Sequence, residues 1–164
     1  GRERHVARAR EGLLPYPQRA LRTADFLYII NFAPDRWPMG NPYNITADSA
    51  PDFKTLENNT FVTYGDLDAS PTKAWLIERR NDEKWEWHYD YAFAKRPREE
   101  LYVLADDPDQ VNNVAGDEKF TAIKAKLNRQ LMGRLKKARD PRVLGDGSTF
   151  DKPPYINTQA KRRK

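Results

Sequence analysis

The sequence predicts an α+β fold: a small antiparallel β-sheet packed against a long C-terminal amphipathic helix. Two observations carry this. Residues 18–30 read as a β-hairpin, with a further strand at Glu99–Leu104 (EELYVL). Residues 117–138 then place Phe120, Ile123, Leu127, Leu131 and Leu135 at spacings of three and four, on one helical face. The 164 residues amount to one domain's worth of chain, enough to bury roughly 70% of the unfolded surface.

Residues 1–17 (GRERHVARAREGLLPYP) are polar, basic and turn-rich, and read as a surface approach segment. In residues 18–30, Arg19-Ala20-Leu21-Arg22 alternates, Thr23-Ala24-Asp25 supplies a turn, and Phe26-Leu27-Tyr28-Ile29-Ile30 is rich in strand formers. Residues 33–52 hold prolines at 34, 38, 42 and 51, so regular structure is not expected there. A loop that long in a compact domain is usually functional or packed against something else. Ser70-Pro71 has the form of a helix start, N-cap followed by proline at the first position, and the helix reads on over 71–80. Residues 84–94 (KWEWHYDYAFA) read as a short helix, Asp106–Asp109 as a turn. In the long helix Asp117 is the expected cap. Glu118 suits the positive end of the dipole; Lys136, Lys137 and Arg139 suit the negative end, and Pro141 is the expected stop. Residues 145–164 read as an irregular basic tail, so the compact subdomain is expected over 18–144.

Composition narrows the function. The mean hydropathy is −0.93, yet 12% aromatic residues argue against disorder. No run approaches the ~18 apolar residues of a membrane span. There is no cysteine, hence no disulfide, thiol nucleophile or thiolate metal site. Two histidines, His5 and His88, cannot build a multi-histidine zinc centre. The net charge of +5 sits in the tail: Lys152, Lys161, Arg162, Arg163 and Lys164 account for five of 29 bases, leaving 24 bases against 24 acids. A neutral body argues against nucleic acid as partner.

Candidate sites are few. There is no glycine-rich phosphate loop, no G-x-S-x-G and no H-E-x-x-H. Asp106, Asp107 and Asp109 lack the glycine and distal glutamate of a calcium loop and read as a solvated turn, so no metal site is assigned. His5 lies among Arg2, Arg4, Arg8 and Arg10, a grouping that suits a sulfate or carboxylate. Trp75, Trp85, Trp87, Tyr89 and Tyr91 could stack on sugars, but helix packing is the preferred reading of them. Asn44-Ile45-Thr46 and Asn58-Asn59-Thr60 match the short glycosylation pattern. Lys161–Lys164 could touch polyanions.

Glu100-Leu101-Tyr102-Val103-Leu104, then Asp107-Pro108, then Asn113-Val114-Ala115, then a long helix, resembles the C-terminal subdomain of the sulfatases. Gly1-Arg2-Glu3-Arg4-His5, Tyr16-Pro17 with Arg19–Arg22, Pro34-Asp35-Arg36-Trp37-Pro38 and Lys95-Arg96-Pro97 extend the likeness towards the heparan N-sulfatase branch and its bacterial relatives. The ordered set spans roughly residues 1–155. Val103 stands where the family has Asp, and Gln110 where it has Glu. In this pattern Leu101, Tyr102, Leu104, Asp107, Pro108 and Asn113 carry structure: strand faces, the turn, and a side-chain tie before the helix.

The resemblance implies a parent that hydrolyses sulfate esters or the N-sulfate of sulfated sugars and glycosaminoglycans. It implies an exported protein: periplasmic, extracellular or lysosomal. It also implies a formylglycine nucleophile, made from a C/S-x-P-x-R motif, and Ca²⁺, both on an N-terminal catalytic domain that would be this chain's partner. Ser49-Ala50-Pro51-Asp52-Phe53 begins like that motif but lacks the arginine, so no catalytic residue or cofactor is assigned to this chain. Arg2, Arg4 and His5 are the expected contacts to the sulfated sugar, with an imidazole able to donate a hydrogen bond to an anionic sugar at mildly acidic pH. The competing expectation is a free-standing, non-catalytic carbohydrate- or polyanion-binding module.

Overall fold

The computed structural model describes Glu3 and residues 6–152. In chain order the regular elements are β1 (Gln18–Arg22), β2 (Phe26–Asn31), α1 (Phe53–Asn58), α2 (Pro71–Glu78), α3 (Glu86–Phe93), β3 (Glu99–Val103), α4 (Thr121–Lys137) and α5 (Pro141–Leu144), with short 3-10 turns among them. The fold is α+β, with β1-β2-β3 forming one antiparallel sheet. The described chain divides into two compact units. The first takes Glu3, 16–34 and 97–152; the second takes 6–15 and 35–96. The span 18–144, read from sequence as one subdomain, thus contributes to both.

In the first unit the hairpin register pairs Leu21 with Tyr28, and Tyr28 with Leu101 on β3. Directly opposed residues share a face, so Leu21, Tyr28, Ile30 and Leu101 point together. Leu127 and Leu131 of α4 join them in one buried cluster, with Phe120, Ile123 and Leu135 packed at its margin. The predicted apolar stripe is the face that covers the sheet. Tyr28 is fully buried, but its hydroxyl is satisfied: it donates to Glu99 Oε1 at 2.5 Å and accepts from Asn128 Nδ2 at 2.8 Å. Burial and the Glu99 carboxylate push this phenol up to about 12, so it remains a donor.

The strand-turn-helix motif is built by side chains acting on backbone. Asn113 Oδ1 accepts from Leu101 N at 2.9 Å and from Ala115 N at 3.0 Å, stitching β3 to the approach of α4. Asp107 accepts from Val111 N and Asn112 N, closing the turn in which Gln110 takes φ +57°. Three boundaries differ from expectation. Leu104 is not in the strand; it lies in the turn, its N–H donating to Asp25 O. Asp117 caps a 3-10 turn (Glu118–Phe120) that precedes α4, through Lys119 N. Helix α4 ends at Lys137, before Pro141 is reached, because Arg139 enters the left-handed region at φ +56°; Pro141 instead opens α5, capped by Asp140.

The second unit has its own core of Leu56, Tyr64, Ala74, Ile77 and Phe93. Tyr64 and Phe93 stack at 4.3 Å, and the Tyr64 and Tyr89 hydroxyls share a 2.6 Å hydrogen bond. Ser70 Oγ caps α2 by accepting from Lys73 N, and Pro71 sits in its first turn. The helix expected over 71–80 closes at Glu78, and α3 forms where a short helix was expected. Residues 33–52 contain neither helix nor strand. Helix α1 carried no sequence signal strong enough to be read; Asp52 caps it through Thr55 N. The tail, read as irregular from 145, holds a 3-10 turn at Ser148–Phe150.

Truncating Leu131 to Ala should lower stability by about 2–5 kcal/mol, since it removes buried methyls from the helix–sheet contact. Lys136→Ala on the exposed side of α4 should change stability by no more than about 0.5 kcal/mol. Paired denaturant melts measure both. Equal shifts would mean the covered face has been misassigned.

Candidate functional site

The approach segment is fixed at the described residues that flank the predicted substrate contacts. In the first unit Glu3 is gripped by two arginines: Arg19 Nη2 donates to Oε1 at 2.6 Å, and Arg142 Nη2 to Oε2 at 2.8 Å. Its carbonyl accepts from Tyr16 N at 2.8 Å. Asp140 completes the group, bound by Arg19 Nε at 2.6 Å, while Asp151 pairs with Arg142 at 2.8 Å. Burial by itself would raise the Asp140 carboxyl. The Arg19 guanidinium and the Arg142 backbone N–H outweigh it and hold the group below its usual 3.8. Arg2, Arg4 and His5 themselves lie outside the described residues, as do Lys161–Lys164.

In the second unit Val6 N donates to Asp66 Oδ1 at 2.9 Å. Asp66 is in turn held by Arg10 Nη2 at 2.5 Å, both side chains shut off from water. Arg10 also donates to Trp37 O at 2.6 Å and Pro38 O at 2.7 Å. Gly40 makes this close approach feasible. At φ +98° it lies in the left-handed region, and a Cβ there would stand 2.8 Å from both Ala9 O and Gly65 N.

Beneath this, Lys73 is buried to 1% exposure with its ammonium aimed into the 60–67 loop. Its Nζ lies 2.7 Å from Thr63 O, 2.8 Å from Leu67 O, 3.1 Å from Thr60 O and 3.3 Å from Tyr64 O. Burial pulls the amine down to about 8, with Asp68 acting in the opposite direction. The four carbonyls require a donor, so Lys73 stays protonated at neutral pH. It fixes a loop in which Tyr64 takes φ +43°, an uncommon conformation for a residue with a side chain.

Within the second unit a cleft of about 280 Å³ is lined by Arg10, Glu11, Leu14, Asp35, Arg36, Trp37 and Asn41. Sequence reasoning did not assign it a role. The signal was present in part: a proline-rich irregular loop carrying Trp37 among charged residues. What could not be read was that the backbone of 37–41 would be pinned against residues 9–10.

The aromatic stretch divides. Trp75 and Trp85 meet edge-on at 5.0 Å and are half-buried, as is Tyr89, whereas Trp87 and Tyr91 are exposed on α3. The glycosylation-pattern asparagines are both exposed, with Asn44 Nδ2 donating to Val62 O and Asn58 Nδ2 to Lys54 O. Ser49-Ala50-Pro51 leads into α1, which Asp52 caps by accepting from Thr55 N and Thr55 Oγ1. No helix among the described residues is long and apolar enough to cross a membrane. Compared with models of known protein families and with curated proteins, the chain matches none.

Two outcomes follow from the anchors. Asp140 has a lowered carboxyl, so the stability it contributes is present above about pH 3.8 and is lost as pH falls through its folded value. Asp140→Asn should therefore be less stable at neutral pH and show a shallower loss of stability between pH 5 and 3, measured by urea melts. Lys73→Met should keep the buried volume but strand the carbonyls, costing about 1–3 kcal/mol or more. A chemical melt within error of wild type would remove the ammonium from its assigned role.

Proposed function

We propose that this chain is the C-terminal subdomain of a sulfatase that hydrolyses sulfate esters or the N-sulfate of sulfated sugars. The ordered motif set supports the reading, and above all the Asn113 stitch. The sulfatase-like Glu-Leu-Tyr strand, Asp-Pro turn and Asn-x-Ala step are consecutive parts of one hydrogen-bonded unit here. In this reading the chain completes the fold of the parent and walls its substrate cleft. The nucleophile and Ca²⁺ belong to an N-terminal catalytic domain, with Arg2, Arg4 and His5 facing the anionic sugar.

A free-standing carbohydrate-binding module is the second reading, and the exposure of Trp87, 54%, and Tyr91, 38%, favours it. The half-buried Trp75, Trp85 and Tyr89 count against a platform spanning the whole stretch.

The isolated chain should show no turnover of an aryl sulfate or of N-sulfated glucosamine; activity that co-purifies with the chain would overturn the division of labour. In a longer parent carrying a C/S-x-P-x-R motif, His5→Ala should lower kcat/KM on a sulfated oligosaccharide while sparing a small aryl sulfate. An unchanged kcat/KM on the oligosaccharide removes His5 from the site.

A further inference from the structure

We propose that the Trp37 cleft of the second unit binds a single unsulfated sugar ring. Three features of its lining point there. Its cations are already engaged: Arg10 is committed to Asp66 and to the Trp37 and Pro38 carbonyls, and Arg36 Nη1 donates to Pro15 O at 3.0 Å. Its acidic and amide groups are not. Among the described residues the Glu11 and Asp35 carboxylates are exposed and make no ion pair, and the Asn41 carboxamide makes no side-chain hydrogen bond. The Trp37 indole supplies a partly open apolar face, its ring steadied by Tyr64 at 6.2 Å and Lys95 at 5.4 Å.

Carboxylates only accept hydrogen bonds, whereas an amide both donates and accepts. Sugar hydroxyls are donors and acceptors at once, so a ring with free hydroxyls satisfies Asp35, Glu11 and Asn41 together, with its C–H face on the indole. A sulfate is acceptor-only and anionic. It would meet the two exposed carboxylates, while the nearest cations, Arg36 on Pro15 O and Lys95 over the Trp37 ring, are each held by a contact of their own, so sulfated rings are disfavoured. The volume of about 280 Å³ lies just below the roughly 300–1,000 Å³ of drug-sized ligand sites, and suits one ring rather than a chain. The inference rests on the sugar reading above only for its choice of ligand, not on sulfatase activity.

The test follows the four tryptophan indole N–H signals of the isotope-labelled chain during titration with N-acetylglucosamine and, separately, with N-sulfated glucosamine. The Trp37 signal should move saturably with N-acetylglucosamine, and at least about tenfold more weakly with the N-sulfated sugar. Asp35→Ala and Asn41→Ala should each weaken binding about tenfold, with the Trp75, Trp85 and Trp87 signals unshifted as the check on folding. Trp87→Ala should leave the curve unchanged. A stationary Trp37 signal, movement confined to Trp75, Trp85 or Trp87, or tighter binding of the N-sulfated sugar would each overturn the proposal. Absence of sulfatase activity in any longer parent would instead strike the proposed function and leave this binding result standing.

Discussion

One buried guanidinium governs the second unit. Arg10 is 3% exposed and joins three pieces of chain that no regular element connects: the 6–15 segment it belongs to, the Trp37–Pro38 turn, and Asp66 of the 60–67 loop. Removing a charge of this kind from water is expensive, and an ion pair alone rarely recovers the cost. Here the two carbonyls and the carboxylate act together, because the planar fork of arginine can serve several acceptors at fixed angles. The cleft walls inherit their positions from it. Trp37 is placed through its own carbonyl, and Asn41 follows through Asn41 N to Ala9 O at 2.8 Å.

Lys73 performs the matching task with a different geometry. An ammonium is compact and can be surrounded, so it suits a loop whose carbonyls converge on a point. Together the two cations replace the hydrogen-bond ladder that residues 33–67 largely lack. In the first unit a sheet and a helix supply that order, and the charged group around Glu3 is confined to tying the approach segment to Arg19, Arg142 and their acidic partners.

A sulfated-sugar role for Arg2, Arg4 and His5 depends on a segment whose flanking residues Glu3 and Val6 are each held by side-chain partners. Sugar binding in the Trp37 cleft depends on Glu11, Asp35 and Asn41, whose side chains take no part in the anchoring. In both cases the charged residues that hold the structure are distinct from those offered to a ligand, so a ligand can bind without competing for structural contacts.

The sequence by itself determined the sheet, the α4 stripe and the Ser70-Pro71 start of α2, because each rests on a local period or a local cap. It also marked Asp107 and Asn113 as motif residues, whose partners lie two to twelve residues away. Local signals were weaker at boundaries: Leu104 falls out of β3 and α4 stops before Pro141, since strand ends and helix ends answer to single hydrogen bonds and to one residue's φ. Arg10, Asp66 and Lys73 are different in kind. Nothing in a charge pattern distinguishes an arginine in a basic segment from one that will be buried 56 residues from its carboxylate. Their roles, and the cleft they shape, were decided only by tertiary structure, because long-range burial sets which charges are shielded from water and which acceptors stand within reach.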